Sequence, residues 1–166
     1  MRCELEFPLD EKRANEAYNA LVAYLAICQR SEKECKDKLY EKGYHKNEVE
    51  FAIDKAKGYR YVDDEEYVRS YLTFNKHKYG VKKIAYKLTT EKGIDKTIVD
   101  NMIADIVDDE FEEQTCREFA EKYVKQKRIV DKSQAKKVSA YLYQKGFEWR
   151  VINRVMSSLF DIDDDF

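Results

Sequence analysis

Few side chains in this sequence are placed for catalysis or for metal binding. The two histidines, His45 and His77, lie far apart and belong to no His-Glu-x-x-His or Cys/His ligand pattern. The four cysteines form no Cys-x-x-Cys pair, which favours free thiols in a reducing compartment. The five glycines form no Gly-x-Gly turn, so a nucleotide-binding fingerprint is excluded. We therefore predict that the protein is not an enzyme and binds no metal ion or cofactor.

Two pairs of aspartates could be metal ligands or helix caps. Asp63-Asp64 and Asp108-Asp109 occupy matching places in the segments Val62–Glu65 and Val107–Glu110. Each segment precedes a stretch with helical periodicity, and carboxylates are stabilised at the positive N-terminal end of a helix. We predict that these aspartates cap helices.

Positive charge is concentrated in two segments of a chain whose formal net charge is −2. Seven basic residues and one acid lie between Arg69 and Lys92, and ten basic residues and three acids lie between Glu121 and Arg154. Ammonium groups beside an exposed ring suit a nucleic-acid backbone and a stacked base. The alternative is a set of solvated faces that only keep the helices soluble. The predicted binding residues are Arg69, Lys76, Lys78, Lys82, Lys83, Tyr86, Lys87, Lys125, Lys127, Arg128, Lys132, Lys136 and Lys137.

The elements that must position these residues follow from an internal repeat. An apolar residue, a leucine, a Lys-Gly step and two more apolar residues recur with spacings of 4, 4, 6 and 4, or 4, 5, 6 and 4 in the second copy. Spacings of four around a glycine predict two amphipathic helices, the first ended by a left-handed glycine. The copies are Cys35, Leu39, Lys42-Gly43, Val49, Ile53; Ile84, Leu88, Lys92-Gly93, Val99, Ile103; and Val138, Leu142, Lys145-Gly146, Ile152, Met156.

A further helix is predicted ahead of each pair, over 18–28, 64 to about 78 and 110 to about 128. Ser31 with Glu34, and Asp131 with Gln134, have the spacing of capping boxes. The predicted fold class is all-α, with about nine helices in three tandem three-helix repeats that form an elongated, curved array. The alternative is a generic helical bundle in which the repeat is fortuitous.

The repeat also fixes the predicted boundaries. We expect a lead-in at 1–17, repeats at 18–60, 61–107 and 108–160, and an acidic tail at 161–166. Lys136 and Lys137 precede Val138 as Lys82 and Lys83 precede Ile84. We therefore expect these four lysines to form part of one electropositive surface of the second and third repeats.

Six short segments follow one another in a specific order and separation: Tyr24-Leu25, Arg30-Ser31, Lys38–Gly43, Tyr61–Val68, Gly80–Ile84 with Leu88, and Lys92–Ile94. In these segments the sequence resembles the RecX family, bacterial modulators of the RecA recombinase. The resemblance runs from about Tyr24 to Phe160. It implies a regulator that binds in the helical groove of the RecA–DNA filament and limits filament growth, recombinase and coprotease activity in homologous recombination, DNA repair and the SOS response. It does not imply catalysis.

A helix-turn-helix regulator that reads DNA directly is the alternative function. Its recognition helix would be the one after each Lys-Gly turn. Against it, Asp95 and Glu148 stand at the starts of two of those helices and would meet phosphates unfavourably. A filament-binding protein is expected to bind single-stranded or duplex DNA alone only weakly.

The two chain ends carry further expectations. Residues 161–166 hold four carboxylates, and we expect a mobile tail that either only aids solubility or competes with nucleic acid for the basic surface in an autoinhibitory contact. The acidic N-terminus does not resemble a signal peptide, and the longest apolar run is too short to span a bilayer. We expect a cytoplasmic monomer that does not bind membranes.

Overall fold

The computed structural model describes residues 8–160, which contain nine α-helices and no strand. This confirms the predicted all-α class. A π-helical turn at Lys87–Glu91 follows α5, and a 3-10 turn at Lys132–Gln134 precedes α8. The predicted tail, 161–166, lies outside the described residues, as does 1–7. The helices are α1 (Glu11–Leu25), α2 (Glu32–Glu41), α3 (Lys46–Gly58), α4 (Asp64–Asn75), α5 (Val81–Tyr86), α6 (Lys96–Ile106), α7 (Asp109–Lys127), α8 (Ala135–Lys145) and α9 (Trp149–Phe160).

Helix α1 begins at Glu11 rather than at Tyr18, where the periodicity first becomes clear. Asp10 is its N-cap and accepts hydrogen bonds from the backbone N–H groups of Lys12 and Arg13 at 3.0 and 3.2 Å. The inner face of the extra turns consists of Ala14 and Ala17, both fully buried. Because alanine is a weak marker of an apolar face, the sequence pattern did not extend to these turns.

The described residues divide into two compact units, each with its own hydrophobic core. Unit 1 consists of residues 8–67 and 92–95, and its core includes Leu21, Leu39 and Ile53. Unit 2 consists of residues 68–91 and 96–160, and a core cluster within it includes Leu142 and Phe147. The leucines of the repeat, Leu39, Leu88 and Leu142, are all buried as predicted.

The three Lys-Gly steps are the left-handed turns that the repeat predicts. Gly43, Gly93 and Gly146 have φ angles of +84°, +64° and +98°. A side chain is strained in this region of backbone space, so glycine is favoured at the end of each first helix.

The extra residue of the second copy is absorbed by the π-helical turn Lys87–Glu91. A π-turn accommodates one residue more than an α-helical turn. The Thr89 hydroxyl lies 3.0 Å from the carbonyl oxygen of Ala85 and 3.1 Å from that of Tyr86, and it donates to both. Leu88 therefore stays in the core, and Gly93 still forms the turn.

Four predicted N-terminal caps have hydrogen bonds that the structure gives, and three of the four predictions are confirmed. Ser31 and Glu34 form a capping box, Asp63 accepts from the N–H of Glu66 at 3.0 Å, and Asp108 accepts from the N–H of Phe111 at 2.7 Å. The capping box of Asp131 with Gln134 was wrong. Asp131 instead accepts from the N–H of Ser133 at 3.0 Å, because a 3-10 turn separates it from α8.

Consecutive repeats contact each other at the Lys-Gly turns. Within unit 1, the hydroxyl of Ser31 ahead of α2 donates to the carbonyl of Lys92 at 2.7 Å. Within unit 2, the N–H of Gly80 ahead of α5 donates to the carbonyl of Lys145 at 2.7 Å. Ser31 and Gly80 each stand four residues before the first apolar residue of their copy, so the same pair of positions joins repeats in both units.

Candidate nucleic-acid interface

Six of the predicted cations lie around the connection between α7 and α8. Helix α7 ends at Lys127 and α8 begins at Ala135, so the chain brings the last turn of one helix close to the first turn of the next. All six side chains belong to exposed residues. We call them the connection cluster: Lys125, Lys127, Arg128, Lys132, Lys136 and Lys137.

Few carboxylates offset this positive charge. Within residues 8–160, Lys125, Lys127, Arg128, Lys136 and Lys137 make no ion pair. The acid in the connection itself, Asp131, is occupied by the N–H and the hydroxyl of Ser133, and these hydrogen bonds lower its pKa. Five of the six cations are therefore without an ion pair within residues 8–160, and the one carboxylate of the connection, Asp131, stays ionised.

Two of these cations stand where they do not favour the helix. Lys136 and Lys137 lie in the first turn of α8, at the positive end of its dipole. The first turns of α4 and α7 carry carboxylates instead. A cation at this end costs a helix about 0.3–1 kcal/mol. Since two lysines here do not serve helix stability, their position favours an external anion.

A second group of predicted cations is held by aromatic rings. The ammonium groups of Lys83 and Lys87 lie 5.3 and 5.2 Å from the ring centroid of Tyr79, and that of Lys76 lies 5.6 Å from the centroid of Phe111. Arg69 and Lys78 are also exposed. Tyr79 was not among the predicted site residues, although it orients two of them.

Lys87 is the least available cation of this second group. Its ammonium pairs with Glu91 at 2.8 Å, and its side chain is only 19% exposed. The hydrogen bond to that carboxylate raises the pKa of Lys87. Lys83 is also engaged, because its ammonium donates to the carbonyl of Gln144 at 3.4 Å.

The structure places the two lysine pairs of the second and third repeats at opposite ends of α8. Lys83 contacts Gln144 and Gly146 at the C-terminal end, whereas Lys136 and Lys137 are in the first turn. A rise of 1.5 Å per residue puts about 14 Å between the two ends. Lys82 lies beside the acids Asp100, Asp109 and Glu148.

Exposed aromatic side chains accompany the cations. Tyr86 is 62% exposed while its neighbours Ile84 and Leu88 are fully buried, as its helical position predicts. Sequence reasoning missed Tyr143 and Trp149, which stack with ring centroids 5.2 Å apart and are each about half exposed. Their signal was their placement, three residues on either side of Gly146.

Unit 1 has an aromatic surface that sequence reasoning also missed. Tyr59 and Tyr61 stack at 5.7 Å and are 60% and 52% exposed. Arg60 between them has a left-handed backbone (φ 58°) and its guanidinium pairs with Asp63 at 3.1 Å. The signal was the Tyr-Arg-Tyr tripeptide, which lies outside the repeated positions.

The buried cysteines do not offer a nucleophile. Burial raises the pKa of the thiols of Cys35 and Cys116 to about 12, so both are protonated at neutral pH. Within residues 8–160, no group of three or more His, Cys, Asp or Glu side chains could hold a metal ion. None of the helices in this range is long and apolar enough to cross a membrane.

Tandem three-helix repeats with exposed cationic and aromatic side chains are typical of binding proteins. Residues 17–55 match the family model for the first three-helix domain of RecX, and residues 111–156 match the one for its third three-helix domain. The chain is 30% identical to the regulatory protein RecX of Caldanaerobacter subterraneus subsp. tengcongensis over 87% of this chain and 71% of that protein. It is 31% identical to that of Clostridium acetobutylicum over 87% of this chain and 69% of that protein.

A solved structure shows the same fold. The crystal structure of RecX from Lactobacillus salivarius superimposes with a TM-score of 0.82 at 25% identity, covering 91% of this chain and 99% of that one. The chain belongs to the RecX family of regulatory proteins. Its helical-repeat fold and its regulatory class follow from this membership.

Proposed function

We propose that the protein is a cytoplasmic regulator that binds the filament formed by RecA recombinase on DNA, in the helical groove of that filament, and limits its growth and its recombinase and coprotease activities. Membership of the RecX family supports the regulatory role. The identity of the partner and the direction of regulation are the parts that the experiments below test.

The observation that carries the proposal is the connection cluster. Its cations are exposed and all but Lys132 are unpaired within residues 8–160, and Lys136 and Lys137 oppose the dipole of their own helix. Such a surface gains free energy when phosphates replace the small anions and water around it. The cations around Tyr79 and the exposed rings of Tyr86 and Trp149 are the second set of proposed contacts.

The test compares binding to labelled single-stranded DNA, to duplexes of random sequence and to RecA-coated DNA by fluorescence anisotropy. The proposal predicts that binding to RecA-coated DNA is at least tenfold tighter than binding to either bare DNA. The same preparation supplies the regulatory readout, because the protein should slow the extension of RecA on single-stranded DNA.

The variant K136E/K137E tests the surface. It should weaken filament binding at least tenfold and make its salt dependence shallower, by about 0.7 in the log–log slope for each lost contact with a single-strand phosphate. The matched control is K12E/K42E, which makes the same change in net charge at exposed positions of unit 1. Equal affinity of both variants for the filament would remove the connection cluster from the proposal.

The helix-turn-helix alternative makes a different prediction in the same titration. It requires one duplex sequence to be bound far better than others, with or without RecA. The start of α9 argues against it, because Glu148 lies there beside the carboxylates of Asp109 and Glu112. A strong preference for one duplex sequence would overturn the filament proposal.

A further inference from the structure

A groove in unit 2 has an apolar floor and a mainly acidic rim, which consists of five carboxylates and the cations Lys82 and Arg150. It has a volume of about 380 Å³ and lies where α5, α6 and the first turns of α7 and α9 meet. Its floor consists of Val81, Ala85, Ile103, Ala104 and Val107. This apolar surface can cover the alkyl part of a side chain. The groups at the rim then determine which head group binds.

Three of the rim carboxylates are occupied by the protein itself. Asp108 accepts from the N–H of Phe111, Asp109 pairs with Arg150 at 3.1 Å, and Asp100 pairs with Lys96. These interactions stabilise helices or join α7 to α9. These partners within the protein account for the presence of Asp100, Asp108 and Asp109 at the rim.

Glu112 is different because it is buried and has no partner. Its exposure is 9%, it lines the groove, and within residues 8–160 its carboxylate makes no hydrogen bond or ion pair. Burial and the nearby charge of Glu148 raise its pKa. Arg150 lies close enough to offset this in part, but its guanidinium is bound to Asp109.

Glu48 shows how the same fold treats a buried carboxylate that serves structure. It is 4% exposed, and it accepts hydrogen bonds from Arg13 at 2.7 and 3.3 Å and from the N–H of His45 at 2.8 Å. A buried carboxylate is destabilising unless it is paired in this way. Glu112 lacks the equivalent cation, although the groove beside it has room for one.

We propose that this groove is a docking site for an arginine or lysine side chain of a protein partner, with the alkyl chain on the apolar floor and the cationic head on the carboxylates of Glu112 and Glu148. Charge complementarity selects the occupant, since Glu112 and Glu148 repel each other and, within residues 8–160, neither carboxylate forms an ion pair with Lys82 or Arg150. This site is separate from the connection cluster, and the inference does not rest on the proposed function.

The test uses the peptide Ac-Ala-Leu-Arg-Leu-Ala-NH2 as a probe, and the same peptide with citrulline, which has the shape of arginine without its charge. Binding is followed by the amide chemical shifts of the protein in the absence of DNA. The arginine peptide should shift Val81, Ala85, Ala104 and Glu112 saturably. The citrulline peptide should bind at least tenfold more weakly.

Two variants make the test specific. Glu112→Gln should weaken binding of the arginine peptide about tenfold, while Glu110→Gln, an exposed position on the same helix that does not line the groove, should leave it unchanged. Glu112→Gln should also raise the melting temperature, because a neutral amide is buried more easily than an unpaired carboxylate. A merely structural carboxylate would give lower stability instead.

Besides lower stability of Glu112→Gln, three binding results would overturn the inference. One is equal binding of the arginine and citrulline peptides, and another is unchanged affinity in Glu112→Gln. The third is saturation of the same shifts by Mg²⁺ or Ca²⁺ alone with no response to the peptide, which would make the groove an inorganic cation site. Because no DNA or recombinase is present, none of these results bears on the filament proposal.

Discussion

Gly80 is required for contact rather than for backbone freedom. Its φ is −71°, which any residue adopts, but a Cβ there would lie 2.6 Å from the backbone carbonyl of Gly146. We expect Gly80→Ala to destabilise the protein by about 1–3 kcal/mol in urea unfolding, the usual cost of overpacking. Gly58→Ala is the control, because it lies in α3 with open space around it and should be neutral or stabilising by up to about 1 kcal/mol. Equal effects of the two substitutions would contradict the contact.

The pair of Glu48 and Arg13 gives unit 1 a dependence on acid. The hydrogen bond from Arg13 holds the pKa of Glu48 below its usual value of about 4.3. Its contribution is therefore full above that value and is lost as the pH falls through the lower pKa of the folded state. The free energy of unfolding of the wild type should exceed that of Glu48→Gln at neutral pH, and the difference should shrink below about pH 4. Glu50→Gln on the same helix should show no such convergence.

At the scale of single residues, the sequence predicted local backbone roles better than it predicted tertiary contacts. The left-handed glycines and the capping aspartates followed from local rules, because each acts within a few residues of itself. The lack of a partner for Glu112 could not be predicted, because its neighbours Glu148 and Arg150 come from a helix that is distant in sequence. The role of Tyr79 beneath Lys83 and Lys87 was also missed, although Tyr79 lies only four and eight residues before them.

At the scale of elements, the π-turn makes a deletion tolerable in one repeat only. Removing Thr90 restores the spacing of the other two copies and should change stability by no more than about 1 kcal/mol. Removing Gln144 from α8 instead rotates Gly146 by about 100° relative to Leu142 and should disrupt unit 2. Circular dichroism and urea unfolding compare the two deletions. Severe loss of structure on removal of Thr90 would contradict the reading of the π-turn as an absorbed insertion.

The repeat predicted which helices exist but not all of their starts. Spacings registered to the Lys-Gly steps depend on large apolar residues, so α2, α8 and α9 were predictable from Leu39, Leu142 and Ile152. The start of α1 depends on Ala14 and Ala17, and the start of α8 depends on whether Asp131 caps an α-turn or a 3-10 turn. An α-turn and a 3-10 turn after Asp131 satisfy the same local rules, and tertiary packing selects between them.

For the whole molecule, two separate cores predict two separable responses to mutation. Leu21 is fully buried in unit 1, and Leu21→Ala should cost that unit about 2–5 kcal/mol. The single tryptophan, Trp149, reports on unit 2. In Leu21→Ala, the circular dichroism midpoint in urea should fall below the Trp149 fluorescence midpoint, whereas Leu142→Ala should lower the fluorescence midpoint. Coincident midpoints in both variants would show one cooperative transition instead.

Only one of the two basic segments of the sequence forms a continuous cluster of exposed cations. The block near the end of the chain became the connection cluster, because α7 and α8 bring sequence neighbours together. Lys82 and Lys83, adjacent in sequence, face different surroundings, the acidic groove and the ring of Tyr79. Net charge along a segment does not specify which face of a helix each side chain occupies, so this division required the packed structure.

The hydrogen bond from Gly80 to Lys145 offers a probe of opening between the second and third repeats. Ser31 makes the corresponding bond in unit 1 through a hydroxyl, which can rotate away while the backbone stays in place. The Gly80 amide proton has no such freedom, since its donor is a backbone N–H that moves only with the chain. Exchange of that proton with solvent deuterium therefore requires the second repeat to move away from the third. Its protection factor measures the fraction of native molecules in which these repeats are apart.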